Sequence, residues 1–181
     1  MPAPAYSLVA WGRDDLAGRR DEILDVYAEA MGVDRAGARS RRSILTAHLD
    51  RAGLRGVAAV DTRRHLVGVA YGYLGAPGQW WHDQVRLAMT GEQADRWLRD
   101  AFEVCELHVR PRWQGRGLGK ALLDSLLAGP PAATAVLTTP DVESRARGFY
   151  RLHGWQDLVR DLIFPGDPRS FAVLGKDLDA G

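Results

Sequence analysis

The stretch that decides the fold is VRPRWQGRGLGK, residues 109–120. Before it, the apolar pattern of residues 102–109 predicts a β-strand, and Pro111 ends that strand. Leucines at helical spacing predict an amphipathic helix over residues 114–127. Glycines therefore stand at alternate positions just where a strand leads into a helix.

This glycine-rich loop has the chemistry of an anion-binding site. N–H groups at a helix start have no partner within the helix and carry partial positive charge. Glycine lets phosphate oxygens approach them, and Arg116 and Lys120 add full charges. The even spacing of the glycines does not fit a dinucleotide loop, and Ala121 stands where a Walker loop needs Ser or Thr. A glycine turn that serves only close packing is the alternative interpretation.

A second motif lies on a helix predicted over residues 143–153. Ala146, Phe149, Tyr150, Gly154 and Trp155 follow the order Ala, two residues, aromatic, Tyr, three residues, Gly, aromatic. With the Val-x-Pro and Gln-x-x-Gly-x-Gly pattern of the loop, the sequence resembles the GNAT superfamily of N-acetyltransferases. The resemblance extends over nearly the whole chain, and its specificity rests on residues 103–155.

The resemblance implies how acetyl-coenzyme A (acetyl-CoA) binds. In this family the pantetheine arm pairs with the strand before the loop like an added strand, and the pyrophosphate lies on the N–H groups of the loop. Many members carry an asparagine where this chain has Glu143, so Ser144 is expected to replace part of its hydrogen bonding. The residues implied for the cofactor are Leu107, His108, Val109, Gln114, Gly115, Arg116, Gly117, Leu118, Gly119, Lys120, Ser144 and Tyr150.

The resemblance also implies catalytic residues. Tyr150 matches the tyrosine near the cofactor sulfur, and a phenol with a pKa of ~10 can protonate a departing thiolate at neutral pH. An ammonium acceptor must lose a proton before it attacks, so a base is needed. Glu103 stands eleven residues before Gln114, where several members carry their base. Glu106 and His108, on the other face of the strand, are alternative bases or a structural pair facing a helix.

The rest of the chain predicts an α/β (α+β) fold. Strands are predicted over residues 6–11, 57–61, 65–74, 133–138, 155–164 and 171–178, and helices over 21–31 and 34–52. We expect a GNAT-like mixed, mostly antiparallel sheet of about six to seven strands with helices on both faces. The resemblance implies a splayed central parallel strand pair. Residues 1–181 are predicted to form a single acyl-CoA N-acyltransferase domain.

Residues 75–101 are predicted to form a helical insertion over the acceptor cleft, with two short helices split near residue 90. Trp80, Trp81 and His82 open this insertion, and Tyr73 and Tyr27 are expected to border the same pocket. Aromatic faces bind cations, which favours a small-molecule amine as acceptor. The alternatives are that the tryptophans cap the core and that His82 is structural or a further base.

Composition excludes several other classes of protein. The net charge of +1 over 181 residues provides no basic field for nucleic acid. No apolar run nears the ~20 residues of a membrane span, no signal peptide is evident, and Cys105 is the single cysteine, so a cytoplasmic location is predicted. Histidine spacing predicts no metal site.

The resemblance implies a homodimer. A non-catalytic acyl-CoA sensor, or an acyltransferase for a longer acyl-CoA, is the alternative function.

Overall fold

The computed structural model describes residues 5–178. The strands are β1 (Tyr6–Trp11), β2 (Arg55–Asp61), β3 (Leu66–Leu74), β4 (Ala101–Val109), β5 (Thr134–Pro140), β6 (Gln156–Ile163) and β7 (Ser170–Asp177). The helices are α1 (Arg13–Gly18), α2 (Arg20–Met31), α3 (Arg35–Ala38), α4 (Ser40–His48), α5 (Trp80–Leu87), α6 (Gly91–Trp97), α7 (Leu118–Leu127) and α8 (Arg145–Leu152).

The seven strands form one mixed sheet in the order β1-β2-β3-β4-β5-β7-β6. Antiparallel ladders join β1 to β2, β2 to β3, β5 to β7 and β6 to β7. β4 and β5 run parallel, and their ladder pairs Ala101–Glu103 with Thr134–Val136. The predicted mostly antiparallel sheet with a central parallel pair is confirmed. β4 continues from Val104 to Val109 beyond the residues of this ladder.

The described residues divide into two compact units, and each has its own core. The first unit holds the residues up to Tyr73 together with Val104–Pro130, and Leu16 and Val26 are completely buried in its core. The second unit holds Leu74–Glu103 and the residues from Pro131 onward, with Val85 at the centre of its core. The single domain inferred from the sequence stays a prediction. Over residues 5–178, every helix is too short or too polar to cross a bilayer.

The prediction of one continuous helix over residues 34–52 is wrong, because the structure has two helices there. Asp34 does cap a helix, because its carboxylate accepts the Gly37 N–H at 2.7 Å. That helix ends at Ala38, and α4 begins only at Ser40. Glycine is a poor helix former, and the Ser40 hydroxyl donates to the Gly37 carbonyl at 3.3 Å, so local bonds compete with a continuous helix here.

A buried ion-pair network fixes α8 in the second unit. The Arg147 guanidinium donates to Asp141 at 2.8 Å and to both oxygens of Asp157 at 2.9 and 2.7 Å. The side chains of Arg147 and Asp141 are each only 1% exposed. Ser144 caps the same helix by accepting the Arg147 N–H at 3.2 Å. The start of α8 is thereby tied to β6 and to the end of β5.

Replacing Arg147 by Met should lower the free energy of unfolding by about 3 kcal/mol, because the buried Asp141 carboxylate then loses its buried cation partner and keeps only the half-exposed Arg160. Urea unfolding at pH 7 measures this change. Arg151→Met is the matched control: Arg151 lies one turn further along α8 and pairs with Glu143 in solvent, so we expect no measurable loss. Equal stability of the two variants would contradict this account of the network.

Candidate active site

The glycine-rich loop lies in the first unit, between the end of β4 and the start of α7. Pro111–Trp113 form a short 3-10 helix, and φ is 73° at Gly115 and 78° at Gly117. These left-handed conformations cannot occur inside an α-helix, so α7 begins at Leu118 and the predicted start at residue 114 is wrong. Gly117 occupies the N-cap position and provides no side chain to cap the helix.

The N-terminus of α7 presents backbone N–H groups for a ligand. The first three N–H groups of α7 belong to Leu118, Gly119 and Lys120. They have no hydrogen-bond acceptor within the helix. The first hydrogen bond across this end runs from the Ala121 N–H to the Gly117 carbonyl at 3.0 Å. Left-handed glycines followed by a helix start form a concave set of N–H groups, which suits a phosphate group.

The first residue of the predicted phosphate loop has a different role. The Gln114 N–H donates to the Pro111 carbonyl at 3.2 Å, and its side-chain amide donates to the Val109 carbonyl at 2.9 Å. Both groups therefore shape the turn. The end of β4 is fixed as well, because Arg110 donates to the Leu66 carbonyl at 2.7 Å through its side chain and forms an ion pair with Glu29.

The two cations predicted to assist the loop differ in their surroundings. Lys120 forms an ion pair with Asp124, one helical turn further on. The Arg116 guanidinium forms no ion pair with any residue of the described part of the chain. Arg116 therefore brings an uncompensated positive charge to the loop.

A second group of chemistry-bearing residues lies in the first unit, on β4 and the helices packed against it. His108 hydrogen-bonds to Glu106, and the Arg41 guanidinium lies 3.5 Å from the same carboxylate. The Tyr27 ring meets His108 edge-on at 5.1 Å, and Arg41 lies over that ring at 5.1 Å. Burial alone would raise the pKa of Glu106, but the hydrogen bond with His108 and the charge of Arg41 outweigh it and lower the pKa.

His48 extends this group of residues. Its Nδ1 lies 3.1 Å from the Tyr71 hydroxyl, and its ring meets that of Tyr73 at 5.0 Å. Burial, reinforced by the charges of Arg51 and Arg41, lowers the pKa of His48 to about 4 although Glu106 opposes the shift. Burial also raises the pKa of Tyr71 well above its usual value, so at neutral pH both side chains are uncharged.

Tyr150 and Glu103, the predicted acid and base, both belong to the second unit. Tyr150 lies on α8, half-buried, and its ring contacts Phe149 at 5.3 Å and Trp155 at 5.6 Å. Glu103 is the last β4 residue paired with β5, and only 6% of it is exposed. Ser144, predicted to bind pantetheine, uses its hydroxyl oxygen to cap α8. The proposed ligand roles of these residues stay predictions.

The aromatic residues of the insertion lie on α5 of the second unit. The Trp81 indole N–H donates to the Thr138 hydroxyl at 3.2 Å. Trp80 is 55% exposed and packs against Phe164 with ring centroids 5.4 Å apart. His82 is buried, with its Nδ1 3.2 Å from Asp83. Trp80 therefore presents the accessible aromatic surface of this helix, whereas His82 is positioned to support the structure.

The structure brings together Tyr27, Tyr73, Glu106 and His108 in the first unit, although the sequence assigned them to different roles. Two partners of this group, Arg41 and His48, were not among the predicted site residues. A signal for His48 exists, because it shares a helix face with Leu45 and Leu49, which are buried. Among residues 5–178, no three His, Cys, Asp or Glu side chains are arranged to hold a metal ion.

Comparison with known proteins identifies the family. Residues 58–157 match the acetyltransferase (GNAT) domain family. The chain is 37% identical to a GCN5-like protein acetyltransferase of Mycobacterium tuberculosis, with 96% of this chain and 98% of that protein covered. The chain belongs to the GNAT acetyltransferase family, so it is related to enzymes that transfer acyl groups.

Solved structures share the fold. A putative GNAT-family acetyltransferase from Desulfovibrio desulfuricans superposes with a TM-score of 0.69 at 16% identity, covering 97% of this chain and 100% of that one. The PaiA N-acetyltransferase of Thermoplasma acidophilum, solved in complex with coenzyme A, gives a TM-score of 0.62 at 13% identity, with 96% and 99% covered.

The lowered pKa of His48 predicts a pH dependence of stability. Between pH 6.5 and about 4 the unfolded chain binds a proton at His48 that the folded protein does not, so stability falls as the pH falls through this window. In His48→Gln, stability should decrease less as the pH falls. Midpoints of urea unfolding at pH 7.5, 6 and 5 measure this decrease. His65→Gln, at an exposed histidine, is the control and should keep the wild-type slope. An unchanged slope in His48→Gln would contradict the assignment.

Proposed function

We propose that this protein is an N-acetyltransferase that transfers the acetyl group of acetyl-CoA to a primary amine. The observation that carries the proposal is the uncapped start of α7 behind two left-handed glycines, where backbone N–H groups are available to the coenzyme A pyrophosphate. The β4 residues beyond the parallel ladder, including Leu107 and Val109, supply backbone groups for the pantetheine amides. Membership of the GNAT family supports both assignments.

The proposed reaction is a direct transfer in a ternary complex. The neutral amine nitrogen attacks the thioester carbonyl carbon, a C–N bond forms, and the C–S bond then breaks. The thiolate takes a proton from the Tyr150 hydroxyl, while the excess proton of the amine leaves to a base. We assign that base to Glu103, acting through water. Glu106 is the weaker base, because its partners His108 and Arg41 lower its pKa.

Two acceptor classes follow from different observations. The exposed Trp80 face and the tyrosine-rich group on β3 and β4 support a small-molecule amine. The name of the M. tuberculosis relative, a protein acetyltransferase, favours an amine of a protein as the second candidate. A homodimer, which the family resemblance implies, and a cytoplasmic location, which the composition predicts, are part of the same proposal.

Gly117→Ala should weaken coenzyme A binding by at least about tenfold, because alanine disfavours the left-handed conformation that opens the start of α7. A Cβ at this position meets no protein atom within 4 Å, so a clash cannot account for the loss. Gly166→Ala is the matched control: φ there is 86°, the space is equally open, and the turn lies between β6 and β7. Calorimetric titration with coenzyme A measures both variants.

The diphosphate assignment fails if Gly117→Ala binds coenzyme A as tightly as the wild type. It also fails if Gly166→Ala loses the same affinity, since backbone strain anywhere in the protein would then explain the effect.

Tyr150→Phe should lower the rate of acetyl transfer by about 100-fold while coenzyme A binding is retained, because only the proton donor is removed. Thiol release from acetyl-CoA, followed with a panel of small amines and with a lysine-containing protein, measures the rate and separates the two acceptor classes. Full activity of Tyr150→Phe would contradict its role as acid.

If Glu103 is the base, Glu103→Gln should lower the rate of acetyl transfer more than Glu106→Gln does.

A further inference from the structure

The first unit holds a group of charged and aromatic side chains that the proposed proton transfer does not use. His48 lies among them, with its ring 5.0 Å from that of Tyr73. Three charged side chains act electrostatically on this histidine: Glu106 of β4, Arg41 of α4 and Arg51, which follows α4. The three charges and the aromatic rings are therefore neighbours, and all of them belong to the first unit.

The charges of this group do not balance. Glu106 provides a negative charge, and its lowered pKa keeps the carboxylate ionised at neutral pH. Arg41 lies 3.5 Å from that carboxylate and compensates it. Arg51 forms no ion pair with any residue between 5 and 178, and its Nε is buried there without a hydrogen-bond partner. Because His48 is uncharged at neutral pH, these four side chains leave one positive charge over.

An aromatic ring, rather than an acid, accompanies Arg51. Its half-buried guanidinium lies over the Tyr73 ring, 5.9 Å from the ring centroid. Arg19 of the same unit shows the usual arrangement, because its Nε and Nη2 donate to the two oxygens of Glu22 at 2.8 and 2.9 Å. A buried donor without a partner destabilises a protein, so we expect a ligand to provide the acceptor that Arg51 lacks.

This group lies beside the part of β4 that is assigned to the acyl arm of acetyl-CoA. The backbone of Leu107 and Val109 is proposed to bind the pantetheine amides. Glu106 and His108 alternate with these two residues, and Glu106 meets α4 through Arg41. An acceptor amine that binds next to the thioester therefore has the charged group as its neighbour.

We propose that the acceptor is a small-molecule amine with one carboxylate, the chemistry of a free amino acid, and that Arg51 binds this carboxylate. The inference rests on the proposed function, because it names the acceptor class of that reaction. A guanidinium binds a carboxylate through two parallel hydrogen bonds. The single negative charge of a carboxylate balances the charge that is left over, whereas a phosphate dianion would exceed it.

Acetyl transfer to a panel of free amino acids and to their carboxamides tests the proposal, because the two members of each pair differ in the carboxylate. In the wild type, at least one amino acid should have a KM about tenfold lower than that of its amide. Arg51→Gln should raise the KM of the amino acid to that of the amide. The KM of the amide and both kcat values should stay unchanged, because only carboxylate binding is removed.

Two further variants make the test specific. Arg51→Lys keeps the charge without the forked geometry, so it should retain only part of the preference. Arg39→Gln is the matched control, because Arg39 lies between α3 and α4, is exposed and forms no ion pair within residues 5–178. It should keep the wild-type preference, and thermal melting should show each variant folded.

The proposal is overturned if no amino acid is preferred over its amide, if Arg51→Gln keeps the preference, or if Arg39→Gln loses it. Should Arg51→Gln fail to fold, an undiminished preference in Arg51→Lys overturns the proposal instead.

Calorimetry separates this inference from the proposed function. Titration of the coenzyme A-bound protein with the same panel measures acceptor binding without transfer. If no amine is acetylated, but amino acids bind more tightly than their amides and Arg51→Gln removes the difference, the carboxylate site stands and the proposed function fails. If amides are acetylated as well as amino acids, the proposed function stands and the carboxylate site fails.

Discussion

Two left-handed glycines hold the backbone so that α7 starts without a cap, and the proposed chemistry depends on this constraint. Where Ser144 caps α8 with its own hydroxyl, Gly117 leaves the N–H groups of α7 to a ligand. Arg110 binds the neighbouring strand on one side of the turn, and the Gln114 side chain holds the Val109 carbonyl. Hydrogen bonds therefore hold the turn before α7, while the N–H groups at the start of α7 are left for an anion.

Much of the fold was predictable from the sequence, because β-strand alternation and helix-ending glycines are local signals. All seven strands lie where the pattern predicts them, and residues 79–99 do contain two short helices. The failures have local causes as well. Left-handed glycines at 115 and 117 excluded helix from a segment whose leucine spacing had favoured it, and side-chain bonds at Ser40 interrupted another.

The candidate site was less predictable, since long-range contacts decide which polar residues meet. Glu106 and His108 share a face of β4, which sequence alternation shows, but their partner Arg41 is 65 positions earlier than Glu106 and was interpreted as part of a solvated helix face. Only packing of α2 and α4 on the sheet reveals that His48 is deprotonated and adjoins Tyr71. Motif matching found the candidate cofactor loop, whereas the side chains that surround Glu106 and His108 required coordinates.

Asp141 has a consequence for how the second unit responds to change. Its carboxylate binds Arg147 at the start of α8 and also accepts the N–H of Asp161, a non-glycine residue with φ of 54° at an irregular point of β6. Such a backbone costs about 1–2 kcal/mol unless its surroundings hold it. The Asp141 side chain thus stabilises both the strained backbone of the edge strand and the start of the helix that carries Tyr150. Substitutions in the β6–β7 hairpin should therefore affect the position of α8 and of Tyr150, the proposed proton donor, and we expect the two segments to change together among relatives.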